Sequence, residues 1–286
     1  MKALISVDME GISGIVHSSE TNPERYDYQR GRELMTAEAN AVIAGVLDAE
    51  PTADVLVADA HGTFRNLLPE QLDRRARLVR GKPRALNMLA GLDAETDAAL
   101  FVGYHVRAGE GPGVLAHTMN GEILDVRMTV NAPSKDVRTA GRSLGEIGLN
   151  AAMAGHLGVP VVLLSGDDAA CAEAADLIPE AVTVPVKEAL GMAAAVTLHP
   201  EEARDRLRRA AADAVSRRTE IPPLALTGPL DVEVDLASPH TIDLATLVPG
   251  VSRTAGARTV AFTAPDYGTA YRLILLLAQL ATIRPA

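Results

Sequence analysis

Cysteine is almost absent: Cys171 stands alone in 286 residues, so no intrachain disulfide can form and no thiolate metal knuckle can be built. The fold must hold by burial, and 48% hydrophobic composition over that length is enough for one large core or two coupled ones. Long hydrophobic runs are missing too. The most apolar stretch, Leu273 to Ile283, is bounded by Arg272 and Arg284 and falls short of the roughly 20 residues that cross a bilayer, so it reads as a buried terminal helix. Met1 to Val7, which runs into acid at Asp8, is too short for a secretory signal. The expectation is a cytoplasmic protein with no membrane partner. Basic charge is in short supply as well. Lys and Arg number 27 against 37 Asp and Glu, a net charge of −10, which disfavours a nucleic-acid backbone as partner. The clusters Arg74 to Arg84 and Arg204 to Arg218 are interrupted by acids and apolar residues and read as solvated faces. Neither an internal repeat nor a low-complexity tract is present, which sets aside solenoid and disordered architectures.

What is present is an alternation of short apolar runs with longer segments of helical period, the signature of an α/β fold with a largely parallel sheet and flanking helices. The runs predict strands over Ala3 to Val7, Val55 to Ala58, Ala98 to Val102 and Val161 to Leu164. Between the first two, Arg30 to Asp48 predicts a crossover helix in which Leu34, Ala37, Ala41 and Ala44 can line one stripe. Further helices are predicted over Gly145 to Leu157, Asp168 to Leu177, Pro200 to Ser216 and Thr269 to Ile283. Pro222-Pro223 and Gly228-Pro229 then punctuate the chain, and Val232 to Leu236 alternates like a strand. The expected organisation is a metal-binding catalytic α/β domain over 1–190 and a smaller C-terminal α/β subdomain over 191–286.

Each predicted strand of the main sheet ends in residues able to ligate metal or move protons: Asp8 and Glu10, then Asp59 and His61, then His105, then Asp167 and Asp168. Ligands of open α/β sheets bind at the carboxyl ends of strands, so these residues, distant in sequence, are expected to meet in one crevice. Asp8 and Glu10 are two apart, which in extended backbone aims both carboxylates to one side. His61 and His105 occupy equivalent places, and neutral imidazole is a common zinc ligand, with Asp59 a candidate to orient an imidazole. Taken alone, each residue has a bland reading: an acidic loop, a hydrogen-bonded histidine, an aspartate capping a helix. Gly103 to Gly113 carries four glycines and one proline and reads as a flexible rim, followed by His117-Thr118-Met119.

Ser6-Val7-Asp8-Met9-Glu10-Gly11-Ile12-Ser13-Gly14, Asp59-Ala60-His61, Gly103-Tyr104-His105, His117-Thr118-Met119, Gly145-Glu146-Ile147-Gly148-Leu149-Asn150 and Gly166-Asp167-Asp168 occur in one order. In this the chain resembles, over most of its length, the D-aminopeptidase family linked to dipeptide transport. The resemblance implies two zinc ions per subunit held at Asp8, Glu10, His61, His105 and Glu146, with Asp8 bridging and His117 catalytic. It also implies a homo-oligomer, a decameric ring. The substrate is then a short peptide or amino-acid amide cleaved by metal-activated water, with Asp167 and Asp168 as candidate amine-binding or supporting groups. Glu146 also has a structural reading, as a first-turn glutamate favourable to the helix dipole. Val130 to Arg142 is longer than the family's turn, which leaves substrate choice and assembly open. Competing classes are a dinuclear phosphoesterase or other amidohydrolase, and a metal-stabilised scaffold without turnover.

Overall fold

The computed structural model describes residues 1–130, 141–254 and 256–284. Its centre is a seven-stranded sheet in the order β3-β2-β1-β4-β7-β8-β9, of which only the last strand runs antiparallel to its neighbour. The strands are β1 (Lys2–Val7), β2 (Asp54–Asp59), β3 (Arg77–Val79), β4 (Ala98–Tyr104), β7 (Val161–Asp167), β8 (Val182–Gly191) and β9 (Ala194–Thr197). All four strands expected from the apolar runs are present, each within three residues of its expected ends. The helices are α1 (Ser18–Thr21), α2 (Tyr28–Ala49), α3 (Glu146–His156), α4 (Asp168–Leu177), α5 (Pro200–Ser216), α6 (Pro239–Ala245) and α7 (Tyr267–Leu280).

Side-chain alternation along β1 splits the interior in two. Ala3, Ile5 and Val7 join Val42, Val46, Leu207 and Ala211 beneath α2 and α5, whereas Leu4 packs with Phe101, Leu164 and the apolar faces of α3, α4 and α7. The buried stripe of α2 differs from the expected one. Ala37, Ala41 and Ala44 are only half-buried, and Met35, Ala39, Val42, Ile43 and Val46 form the core face with Leu34. Larger branched side chains remove more apolar area from water per position, and α5 covers a second flank of the helix, so they set its rotation.

A second sheet of five strands, in the order β11-β12-β10-β5-β6, packs on the α6 and α7 side. Its strands are β5 (Ile123–Val130), β6 (Arg142–Ser143), β10 (Leu230–Leu236), β11 (Ser252–Arg253) and β12 (Thr259–Ala264). Along β10, Leu230, Val232, Val234 and Leu236 face inward while Asp231 and Glu233 face water, which is the alternation read from the sequence. This sheet takes strands from both sides of the expected 190/191 boundary, and α5, beyond that boundary, packs on α2 of the main sheet. The two sheets therefore do not divide there.

The path of the chain puts the site in place. From β1 the sheet grows through β2 and β3 on one side, and through β4, β7 and β8 on the other, so the order reverses beside β1. The carboxyl ends of strands flanking such a reversal open into a crevice.

Candidate metal centre

Three backbone close approaches hold the strand ends together at this crevice. A side chain on Gly11 would stand 2.0 Å from the Tyr104 carbonyl oxygen, and one on Gly166 would stand 2.2 Å from the same oxygen. Gly103, at φ +69°, packs its α-carbon against the Asp8 carbonyl and Ile12. Only glycine fits such gaps, so β1, β4 and β7 meet at van der Waals limits. Asp8 N–H donates to Val102 O and Gly11 N–H to Gly103 O, both at 2.8 Å, which fixes the loop of Asp8 and Glu10 relative to His105.

Asp8, Glu10, His61, His105, His117 and Glu146 converge there. His61 Nδ1 lies 3.2 Å from Asp8 Oδ1 and 3.0 Å from Glu10 Oε2. His105 Nε2 lies 3.5 Å from both Asp8 Oδ2 and Glu146 Oε1, and His117 Nε2 lies 3.8 Å from Glu146 Oε1. The rings of His105 and His117 stack with centroids 4.1 Å apart. Ligand atoms of two overlapping triads, Asp8-Glu10-His105 and His105-His117-Glu146, are each close enough to share one ion.

The second nitrogen of each ring determines what the first can do. A carbonyl can only accept, so the ring nitrogen facing it carries the hydrogen. His61 Nε2 faces Thr21 O at 2.9 Å, His105 Nδ1 faces Val106 O at 3.0 Å, and His117 Nδ1 faces Leu115 O at 2.8 Å. In the neutral rings the remaining nitrogens are therefore lone pairs, and all three point at carboxylate oxygens. Acceptor facing acceptor at such distances is repulsive unless a cation lies between. His105 Nε2 is buried with no hydrogen-bond partner among the described residues. Carbonyl-anchored imidazoles with free lone pairs among carboxylates are the donor set of a zinc site, so the residues present fit the metal.

Titration shifts report the same demand for positive charge. Burial opposes charging His61, yet the Glu10 and Asp8 carboxylates raise it well above its ordinary value. His105 is pushed up to about 10, against its burial, by Glu146 and Asp8. Burial and the neighbouring charge of Glu10 push Asp8 up to about 8. Without a metal ion, protons would have to supply the missing charge.

Further side chains shape this centre. Lys187, buried in β8, donates to the carbonyls of Glu10, Ile12 and Ile15, and Glu38 accepts from Ser13 N–H at 2.8 Å, so together they pin the loop after β1. Neither stands at a strand end, so the strand-end pattern passes over them. A lysine interrupting the apolar face of the Val182–Gly191 strand was the available signal for the first.

Other expected residues take structural roles. Asp59 does not touch the His61 ring: it accepts from Asn66 N–H, Asn66 Nδ2 and Leu67 N–H, and Asn66 in turn bonds His61 O. Asp167 caps α4 through Ala170 N–H and takes Val114 N–H from the glycine-rich loop, and Asp168 accepts Ala189 N–H. These aspartates accept mainly from backbone N–H groups, with the Asn66 amide as a further donor to Asp59, and neither Asp167 nor Asp168 lines the pocket above the centre. Glu146 begins α3 as expected, and also accepts Met119 N–H at 2.5 Å. Of the long segment Val130 to Arg142 noted before Glu146, residues 131–140 lie outside the described residues.

A pocket of about 360 Å³ opens over the centre, lined by Asp8, His61, His117 and Glu146, by Phe64, Lys82 and Asn87, and by Ala278, Gln279 and Thr282 of the C-terminal helix region. All four non-glycine residues with left-handed backbone among the described residues, Phe64, Asn87, Leu115 and Met119, line it or flank His117. Such conformations cost on the order of 1 kcal/mol or more each and cluster at functional sites.

With this geometry in view, comparison with known proteins gives one answer. A family profile described as D-aminopeptidase (peptidase M55) matches residues 1–276. The D-aminopeptidase of Bacillus subtilis (strain 168) is 37% identical over 282 residues, covering 98% of this chain and 98% of that protein. The solved structure of the Zn-dependent D-aminopeptidase DppA from Bacillus subtilis, a self-compartmentalizing protease, superposes with a TM-score of 0.92 at 35% identity, covering 100% of both chains.

Proposed function

This chain belongs to the D-aminopeptidase family, and on that premise we propose that it is a dizinc enzyme releasing N-terminal D-amino acids from short peptides or amino-acid amides. One observation carries the metal assignment: three imidazoles, each anchored to a backbone carbonyl, aim lone pairs at three buried carboxylates. Asp8, Glu10, His61, His105 and Glu146 are the ligands in this reading. Asp8 would be the ligand shared between the ions, since its Oδ1 faces His61 and its Oδ2 faces His105. When bound, the pair of ions supplies Lewis acidity to the scissile carbonyl and lowers the pKa of water towards neutrality.

The chain's own groups supply the rest. His117 keeps 28% of its side chain exposed against 1% for His105, so it is the imidazole that faces substrate. Its Nδ1–H is fixed on Leu115 O, which leaves Nε2 as the atom that takes a proton and returns it to the leaving amine. Membership of a peptidase family separates this reading from the phosphoesterase alternative. We further propose a homo-oligomeric assembly, a decameric ring, by analogy with the self-compartmentalizing relative, and a cytoplasmic location, which suits a lone buried cysteine.

A panel of D- and L-aminoacyl p-nitroanilides and dipeptides, run with metal-stripped and zinc-restored protein, tests this. Zinc-dependent release of D-residues is expected, with two zinc ions per chain by elemental analysis. No zinc-dependent release of any N-terminal residue would overturn the reading. His117→Ala is expected to keep both ions and lose on the order of 10²-fold or more in kcat. Near-normal turnover would remove His117 from its role.

A further inference from the structure

One residue lining the pocket has no part in the zinc centre. Lys82, part of whose side chain is open to solvent, spends one N–H on the carbonyl of Gly62 at 2.8 Å, the residue next to His61, and has two N–H donors with no acceptor among the described residues. The ammonium lies 5.4 Å from the centroid of the Phe64 ring, which also carries the Arg84 guanidinium at 4.0 Å. Among the described residues neither cation has a carboxylate ion-pair partner, and their mutual repulsion joins burial in lowering the Lys82 pKa. Phe64, at φ 58°, is one of the left-handed residues, so the backbone is held in an unfavourable conformation under this pair of cations. Asn87, with φ 48°, lines the same pocket, and its amide finds only the weak acceptor Met119 Sδ at 3.9 Å.

An ammonium without a carboxylate partner among the described residues, in the same pocket as the Asn87 amide, is the complement of an anion, and the metal centre that would take the other end of the substrate lines that pocket too. Resting on the aminopeptidase reading, we propose that Lys82 binds the C-terminal carboxylate of a short peptide whose N-terminal residue lies at the zinc centre. Lys82 is then the specificity residue that selects free peptide acids over their amides.

The test compares D-alanylglycine with D-alanylglycinamide, which differ only in the terminal carboxylate, on zinc-loaded wild type, Lys82→Met and Lys82→Arg proteins. Wild type is expected to prefer the acid by 10-fold or more in kcat/KM, mainly through KM. In Lys82→Met that preference falls at least 10-fold because KM for the acid rises, and Lys82→Arg keeps part of it. A wild type that shows no preference overturns the proposal even if the variants fail to fold. So does a Lys82→Met protein of normal zinc content with an unchanged acid-to-amide ratio. Failure of wild type to release D-alanine from either compound is a separate outcome: it removes the aminopeptidase reading, and the carboxylate site with it.

Discussion

Replacing Gly11 with alanine should disable the enzyme without touching any group that bonds substrate or metal. The new Cβ would stand 2.0 Å from Tyr104 O and 2.5 and 2.7 Å from the carbonyl carbon and oxygen of Gly103, all of them backbone atoms that no rotamer change can move. Contacts of this kind below 3.0 Å essentially do not occur, so the ends of β1 and β4 must part by about 1 Å. Asp8 and Glu10 lie on one side of that seam and His105 on the other. Sites of this type tolerate about 0.5 Å, and a 1 Å misplacement costs on the order of 10²-fold in rate. Overpacking adds a stability loss of about 1–3 kcal/mol. We expect Gly11→Ala to lose about 100-fold in kcat/KM at saturating zinc, to bind zinc more weakly in competition with a chromophoric chelator, and to melt several degrees lower. Gly166→Ala, which presses on the same carbonyl from β7, should lose comparable stability but less activity, because β7 carries no proposed ligand. Gly121→Ala, whose Cβ meets nothing within 4 Å, should change stability by less than about 0.5 kcal/mol. Wild-type activity and zinc affinity in Gly11→Ala, with an unchanged melting temperature, would refute the argument that strand contact sets the site geometry.

Chelation should destabilise the protein, because the facing lone pairs then need protons. At free zinc 100 to 1,000 times Kd the bound ion contributes about 3–4 kcal/mol per site, and scanning calorimetry with and without chelator reads the difference. Arg127 bonds Asp125, Asp235 and Glu233 across the outer face of the second sheet, and its hydrogen bonds hold Asp235 below the usual carboxylate range. A depressed folded pKa stabilises above the unfolded value and is lost as pH falls through the folded one. The stability gap between wild type and Arg127→Met, about 1 kcal/mol for so exposed a network, should therefore be full at neutral pH and shrink below about pH 4 in urea titrations. Burial pushes the Cys171 thiol up to about 12, so a disulfide reagent at pH 8 should leave it unmodified in the native protein and titrate one thiol per chain once guanidinium is added. Rapid modification of the native protein would contradict its placement on the buried face of α4.

The strands of the main sheet were legible because each is a contiguous apolar run, buried on both faces, whose hydrophobicity needs no partner to explain it. The second sheet was legible only at β10. Strand β5, Ile-Leu-Asp-Val-Arg-Met-Thr-Val, carries Asp125 and Arg127 on its outer face, and the groups that balance that arginine, Glu233 and Asp235, lie more than 100 positions away. Local composition cannot display a charge pairing that exists only across strands, so the segment carries no strand signal of its own. The helix stripe failed for a related reason. The rotation of α2 is set by its packing against two elements, the sheet and α5, and a small-residue periodicity sees neither.

The strand-end rule brought Asp8, Glu10, His61 and His105 together from sequence, yet it nominated Asp59, Asp167 and Asp168 on equal terms. Position alone does not separate these groups; the fate of their oxygens does. Asp59 receives two backbone N–H groups and the Asn66 side-chain amide, and Asp167 receives N–H groups from Ala170 and Val114. Each is a buried carboxylate neutralised by the fold. The Asp8 carboxylate receives a single N–H, from Met9, and among the described residues every other polar contact of the Asp8 and Glu10 carboxylates is with an imidazole. A carboxylate kept dry and starved of N–H donors is unstable without a cation, and the fold tolerates that only where a cation is meant to bind. The turn that follows each acid differs: Asp59 is followed by a loop that folds back its amides at Asn66 and Leu67, whereas the backbone of the loop after Asp8 is engaged by Lys187 and Glu38. The proposed metal centre therefore rests on the lysine and glutamate that hold this loop as well as on its candidate ligands.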